Sequence, residues 1–128
     1  MLSSTAFKIG AAYGCVPCFI GVASGAFGAH GLQKRITDQN IIKTDCPYKA
    51  FVTGSQYMLL HGITIVALSA HPRFGKSAAT IGLFSIGTAL FSGSIFALTT
   101  LPQFKKVLGP ITPIGGLLIL GGWASLLV

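Results

Sequence analysis

Acidic side chains are almost absent from this sequence, which contains no glutamate and only two aspartates, Asp38 and Asp45. Charged residues of both signs make up only 9% of the 128 residues, whereas a soluble domain carries about 25%. A chain with so few charges cannot cover a water-facing surface, so part of its surroundings must be lipid. Because both acids lie in one polar segment, the patterns of hydrolases are not met either.

Cysteine is also scarce, and an odd number of cysteines without a secretory context argues against a disulfide framework. Cys15 and Cys18 have the C-x-x-C spacing of redox and zinc sites, but they lie inside an apolar run. A redox pair needs water and a zinc site needs about four ligands. We therefore interpret this pair as structural, and we expect no metal, no cofactor and no catalytic residue in this chain.

The patterns of glycines and cations disfavour a nucleotide-binding site and a nucleic-acid-binding surface. The segment from Gly25 to Gly31 does not give the G-x-G-x-x-G pattern after a strand, and Gly75-Lys76-Ser77 lacks the earlier glycine of a phosphate-binding loop. The net charge is +7, but the cations lie between apolar runs and do not follow a polar face. Neither nucleotide nor nucleic-acid binding is expected.

Four long apolar runs are what the sequence does contain. A helix needs about 20 apolar residues to cross about 30 Å of hydrocarbon, and short connections make consecutive helices antiparallel neighbours. The sequence therefore predicts an all-α fold, an integral membrane four-helix bundle with short loops, as a single domain over residues 1–128. The predicted spans are about 9–29, 50–70, 77–98 and 108–128, with a polar loop at 31–49.

The cations are unevenly divided between the two ends of such a bundle. Three lie on the side of the termini, and six lie on the side of the polar loop and the last connection. The positive-inside rule then places both termini outside and the two loops in the cytosol or matrix. Four cations on the loop side are predicted to contact anionic, cardiolipin-like lipid headgroups: Lys34, Arg35, Lys105 and Lys106.

Small residues recur at helical spacing in three of the spans. Such stripes let membrane helices approach closely, so they predict either packing within one bundle or docking of a partner subunit or a second copy. The predicted helix-packing residues are Gly21, Gly25 and Ala29 in the first span, Ser85, Ala89 and Gly93 in the third, and Gly115 and Gly122 in the fourth.

One span carries a polar stripe, formed by Tyr57, His61 and Thr64 at spacings of four and three. We expect these residues to be buried, since ionisable groups inside membranes face the bundle interior. His61 could be a neutral imidazole bonded to a neighbouring helix, a proton-transfer or ligand-contact group, or a haem or metal ligand. His30 would be its haem partner, but it lies about half a bilayer away, and His30-Gly31 is better explained as a helix end.

Four motifs resemble one known family: GAFGAH, QYMLLH, LFSGSIF and ITPIGGLLILGGW, in that order from about Gly21 to Trp123. They resemble the small membrane-protein family of animal transmembrane protein 256 and bacterial YgdD-like inner-membrane proteins. The resemblance implies four transmembrane helices and, for a eukaryotic member, mitochondrial membranes. It brings no established activity with it.

These observations predict a non-catalytic accessory or structural subunit of a larger mitochondrial inner-membrane assembly, such as a respiratory-chain complex. Its expected partners are membrane lipids and other membrane-protein subunits. The alternative is a small transporter or channel component that uses the polar stripe around His61. A plasma membrane of the bacterial type is the alternative location.

Overall fold

The structure, a computed structural model, describes residues 4–32 and 47–128. Within these two ranges the chain forms helices joined by turns, without a strand, which confirms the predicted all-α fold class. The helices are α1 (Ser4–Phe27), α2 (Pro47–Ala70), α3 (Ala78–Thr100), α4 (Lys105–Leu108) and α5 (Ile111–Ala124).

Four helical segments are long and apolar enough to cross a membrane, as predicted. The fourth is made of α4 and α5 together. It begins at Lys105, three residues before the predicted start, and Pro110 lies at the N-cap of α5, where a missing N–H is tolerated. The fourth segment ends at Ala124. Beyond it, the backbone N–H of Leu126 bonds to the carbonyl of Trp123, three residues earlier and not four residues earlier as in an α-helix. The four segments are Phe7–Gly31, Lys49–Ala70, Ala78–Thr100 and Lys105–Ala124.

The first helix does not end where the sequence predicted. After Phe27 it continues as a π-helical turn, Gly28–Leu32, so His30 and Gly31 lie within the helix and do not cap it. Gly31 does not adopt the left-handed conformation of a helix-ending glycine. Gly28 lets the Phe51 ring of α2 pack against this turn, since a Cβ atom at that position would lie 2.9 Å from the ring.

The helices pack mainly in chain order, α1 against α2, α2 against α3, and α3 against α5, while α1 and α3 touch only slightly. The interior is built from few large side chains, chiefly Ile65, Phe84 and Ile119, together with glycines and hydroxyl residues. Large apolar side chains such as Phe19 and Leu117 point outward. This distribution suits a bundle whose solvent is lipid, because close backbone approach and not apolar burial then drives helix association.

The turn between α2 and α3 is fixed by local hydrogen bonds. His71 Nδ1 accepts the backbone N–H of Arg73 at 3.2 Å, and the Arg73 guanidinium donates to the Val128 carbonyl. Ser77 then caps α3 by accepting the N–H of Thr80 at 3.3 Å. The start of α1, this turn and the end of α5 therefore share one face of the bundle, which we call the terminal face.

Candidate functional site

His61 is the most buried ionisable side chain that the sequence singled out, with 2% of its surface exposed. Its Nδ1 lies 2.8 Å from the carbonyl oxygen of Tyr57, one turn earlier in α2. A carbonyl oxygen only accepts hydrogen bonds, so Nδ1 must carry the proton. This bond fixes the plane of the ring as well as its tautomer.

The other ring nitrogen of His61 faces α5. The indole N–H of Trp123 donates to Nε2 across 3.4 Å, and an indole nitrogen can only donate. The two bonds together assign a neutral imidazole with its proton on Nδ1 and its lone pair on Nε2. The ring also lies beside Phe84 of α3, with centroids 6.0 Å apart, so His61 joins three helices. This geometry matches a neutral imidazole that is hydrogen-bonded to a neighbouring helix, the first of the three roles considered for His61.

The polar stripe predicted around His61 is only partly buried. Thr64 is half-buried, and its hydroxyl donates to the Leu60 carbonyl at 2.9 Å within its own helix. Tyr57 is 41% exposed, so the prediction that it is buried is wrong. Its ring packs on the Phe91 ring of α3 at the bundle surface, with centroids 4.8 Å apart.

Serine hydroxyls connect the helices at positions that the sequence analysis did not single out. Ser55 Oγ donates to the Gly21 carbonyl of α1 at 2.6 Å, and Ser92 Oγ donates to the Gly54 carbonyl of α2 at 2.7 Å. Hydroxyls of this kind hold membrane helices together by about 0.6 kcal/mol each on average. Their sequence signal was available, since both serines are next to a glycine inside an apolar span.

Thr88 is an exception among these hydroxyls. It is 1% exposed, and its Oγ1 has no hydrogen-bond partner in the part of the chain that the structure describes. Because a buried unpaired hydroxyl is unfavourable, we expect Thr88→Val to raise the free energy of unfolding by about 1 kcal/mol. Unfolding by sodium dodecyl sulfate, followed by the fluorescence of Trp123, measures this change.

Thr80→Val is the matched control, because the Thr80 hydroxyl bonds with Ser77 and Ser125 at 2.9 and 3.1 Å. This variant should lose stability. A loss of stability in Thr88→Val as well would mean that the Thr88 hydroxyl finds a partner in the membrane and would contradict the prediction.

The predicted helix-packing residues divide into two groups. A Cβ atom on Gly21 would lie 3.0 Å from the Leu59 nitrogen of α2, and one on Gly25 would lie 3.0 Å from Ser55 Oγ. Gly115 and Gly122 meet α3 in the same way, the first against the Phe91 backbone. These four glycines all lie where helices cross.

The stripe of α3 is only partly buried in the bundle. Ser85 and Ala89 line a surface groove, and a Cβ atom on Gly93 would meet nothing within 4 Å. Of the two alternatives, internal packing is wrong for Ala89 and Gly93, because α3 crosses α5 through its opposite face, at Gly87. Ser85 is half-buried and its Oγ is covered. Ala29 is also exposed, in the π-helical turn.

The cysteines give no sign of a reactive pair. Cys15 is exposed on α1, whereas Cys18 is half-buried with its Sγ 3.7 Å from the Leu59 carbonyl of α2. Across residues 4–32 and 47–128, no three His, Cys, Asp or Glu side chains come together in a way that would hold a metal ion. Cys46 lies outside these ranges.

The predicted headgroup cations are only partly described. Lys105 and Lys106 are exposed at the start of α4, at the end of the bundle opposite the terminal face. Lys34 and Arg35 lie outside the described residues. Contact with lipid headgroups stays a prediction for all four.

Comparison with known proteins gives the chain a family. A family model described as a protein of unknown function, DUF423, matches residues 24–116. The chain is 43% identical over 112 residues to the UPF0382 membrane protein C1782.12c of the fission yeast Schizosaccharomyces pombe, covering 85% of this chain and 90% of that protein.

Bacterial proteins are similar over most of the chain as well. Identity is 34% over 119 residues to the UPF0382 membrane protein YwdK of Bacillus subtilis, covering 90% of this chain and 89% of that protein. It is also 34% over 119 residues to SAB0533 of Staphylococcus aureus, covering 90% and 88%. No solved structure matches. The chain therefore belongs to the DUF423 family of membrane proteins, whose relatives in bacteria and yeast carry the name UPF0382.

Proposed function

We propose that this chain is a non-catalytic integral membrane subunit, accessory or structural, of a larger assembly in the mitochondrial inner membrane, such as a respiratory-chain complex. This proposal includes the finer resemblance to transmembrane protein 256 and YgdD-like proteins. It also includes both termini lying outside the matrix, as the six cations of the loop side against three indicate.

The observation that carries this proposal is the open surface around Gly93, at one end of the α3 stripe of small residues. In the rest of the bundle, close helix crossings are lined by glycine, as at Gly14 against α2 and Gly87 against α5. Gly93 has the same small size, yet nothing of the described chain lies within 4 Å of its missing Cβ. A small-residue surface without a helix in front of it suits a transmembrane helix of another subunit.

The use of the polar groups also supports a structural role. Both ring nitrogens of His61 bond within the bundle, and the hydroxyls of Ser55 and Ser92 link neighbouring helices. A transporter or channel component would need His61 to exchange a proton or to touch a solute. Because the Trp123 indole N–H already bonds to the Nε2 lone pair, the geometry favours the structural role.

The family has members in bacteria and in a yeast. For a bacterial host, we propose the plasma membrane as the location. For a eukaryotic host, the mitochondrial inner membrane is the location that we propose. Fractionation of mitochondria with protease protection tests this location and the orientation, since the loop between α1 and α2 should be protected until the inner membrane is opened.

Gly93→Leu tests the docking surface. The larger side chain enters open space, so we expect the variant to fold but to lose co-migration with its partners in blue-native electrophoresis with mass spectrometry. Ala79→Leu is the control, because Ala79 is exposed near the opposite end of the same helix, away from Gly93. The control should keep the partners.

Three outcomes would contradict the proposal. The wild-type protein could migrate only as a small free species in mild detergent, Gly93→Leu could keep the partners, or Gly93→Leu and Ala79→Leu could lose them equally. Proton flux in liposomes that is present in the wild type and absent in His61→Ala would instead support the transporter alternative.

A further inference from the structure

A groove on the outer surface of the bundle runs between α1 and α3. It consists of two adjoining cavities of about 660 and 720 Å³, which share Ile9, Tyr13, Ser85 and Ile86 as walls. These volumes fall in the range of about 300–1,000 Å³ that is typical of small-molecule sites. The groove exists because α1 and α3 both pack on α2 but touch each other only slightly.

The length of the groove matches one leaflet of a bilayer. Along α1 its walls run from Ile9 to Ile20, and Met58 of α2 also lines its inner part. Eleven residues at 1.5 Å each give about 16 Å, which is about half of a hydrocarbon core of about 30 Å. One acyl chain of a membrane lipid extends over this distance.

The outer end of the groove is positively charged. Lys76 lines it at the terminal face, and the exposed Lys8 directly precedes Ile9 on the opposite wall. The described part of the chain contains no aspartate or glutamate that could pair with either lysine. A cation next to an apolar groove is complementary to a negatively charged lipid, with its phosphate at the cation and its chain in the groove.

The same charges argue against a second copy of this chain in the groove. A symmetric pair uses the same surface of both copies, and both copies have the same orientation in the membrane. The Lys76 and Lys8 side chains of both copies would then meet at one face, without an aspartate or glutamate in the described residues to offset them. Electrostatics therefore favours a lipid as the occupant.

We propose that the groove between α1 and α3 is a specific site for an anionic phospholipid, with its phosphate at Lys76 and one acyl chain along Ile86 and Ala89. The site lies at the terminal face, at the opposite end of the bundle from Lys105 and Lys106. It does not depend on the proposed subunit role, because the docking surface at Gly93 lies outside the groove walls.

Native mass spectrometry tests this site on the full-length protein. The protein is reconstituted into nanodiscs with equal parts of dioleoyl phosphatidylglycerol and dioleoyl phosphatidylcholine, and then released so that retained lipids can be counted. We expect one retained phosphatidylglycerol. Lys76→Ala should lower its retention relative to phosphatidylcholine about fivefold, the effect of one basic residue near a membrane surface. Lys105→Ala, at the opposite end, should leave the ratio unchanged.

Ala89→Phe tests the groove itself. Ala89 is exposed, so a larger side chain fills the groove without entering the helix interfaces, and the retained lipid should disappear. Leu117→Phe is the control, because Leu117 is exposed on α5, outside the groove. Circular dichroism checks that both variants keep their helices.

Each of three results would overturn the site. The first is equal retention of both lipids by the wild type, and the second is retention of phosphatidylglycerol in Ala89→Phe. The third is a wild-type dimer that Ala89→Phe dissociates, which would show that a second copy and not a lipid occupies the groove.

Discussion

Gly115→Ala is expected to destabilise the bundle by about 3 kcal/mol, at the upper end of what overpacking produces. A Cβ atom at this position would overlap the Phe91 nitrogen and would lie 2.8 Å from the Phe91 Cα. Both are backbone atoms of α3, so no side chain can rotate away and one helix would have to move. Unfolding in sodium dodecyl sulfate measures the loss.

The neighbouring glycine provides the control for this prediction. A Cβ atom on Gly116 would lie 3.8 Å from the Phe91 ring, an ordinary contact. Gly116→Ala should therefore be neutral, or more stable by up to about 1 kcal/mol because alanine favours a helix. Equal effects of the two variants would mean that α3 and α5 do not cross at Gly115, and the arrangement of these helices would be wrong.

The sequence was sufficient to predict four spans, since each depends only on a long apolar run. It also identified Gly115 and Gly122 as packing residues, because they lie on one face of α5. It did not predict the π-helical turn at Gly28–Leu32, against which the Phe51 ring of another helix packs. The end of a helix is a local property only where no other helix packs against it.

The choice between the two faces of α3 was beyond sequence reasoning for a related reason. One face contains Ser85, Ala89 and Gly93, and the other contains Gly87, so both are small enough for a helix to approach. Which of them meets α5 is decided by how the whole bundle closes, through contacts such as that of Gly87 with Ile119. Spacing along one helix contains no information on this choice.

The partner of His61 was unpredictable on the same grounds, since Trp123 lies 62 positions along the chain. Burial of His61 followed from its place in the middle of a span. Its tautomer followed only from the structure, because a carbonyl on one side and an indole N–H on the other determine which nitrogen carries the proton.

His61→Ala should therefore destabilise the protein by about 3 kcal/mol, the middle of the range for removing a large buried side chain. The change leaves a cavity between α2, α3 and α5 and leaves the Trp123 indole N–H without its acceptor. Leu60→Ala is the control within α2, since Leu60 is exposed on the outside of the bundle, and its effect should be small. Unfolding in sodium dodecyl sulfate compares the two variants.

A double-mutant cycle with Trp123→Phe isolates the hydrogen bond from the cavity. The single change at Trp123 should lower the free energy of unfolding by about 1 kcal/mol, because Nε2 then lies buried without a donor. In the His61→Ala background that contribution should vanish, leaving only the difference in packing. A coupling energy of zero would mean that the 3.4 Å contact is not a hydrogen bond.

Nitrogen-15 spectra of histidine-labelled protein test the same assignment without a mutation. We expect His61 to show a protonated Nδ1 and an unprotonated Nε2 at neutral pH, and Trp123→Phe should shift the Nε2 resonance. His71 provides an internal reference, because its Nδ1 accepts the backbone N–H of Arg73, which places any proton of the neutral ring on Nε2. Two histidines of opposite tautomer would confirm that the bundle holds His61 by both of its ring nitrogens. A protonated Nε2 at His61 would exclude the hydrogen bond from Trp123, and with it the structural role that we assign to this ring.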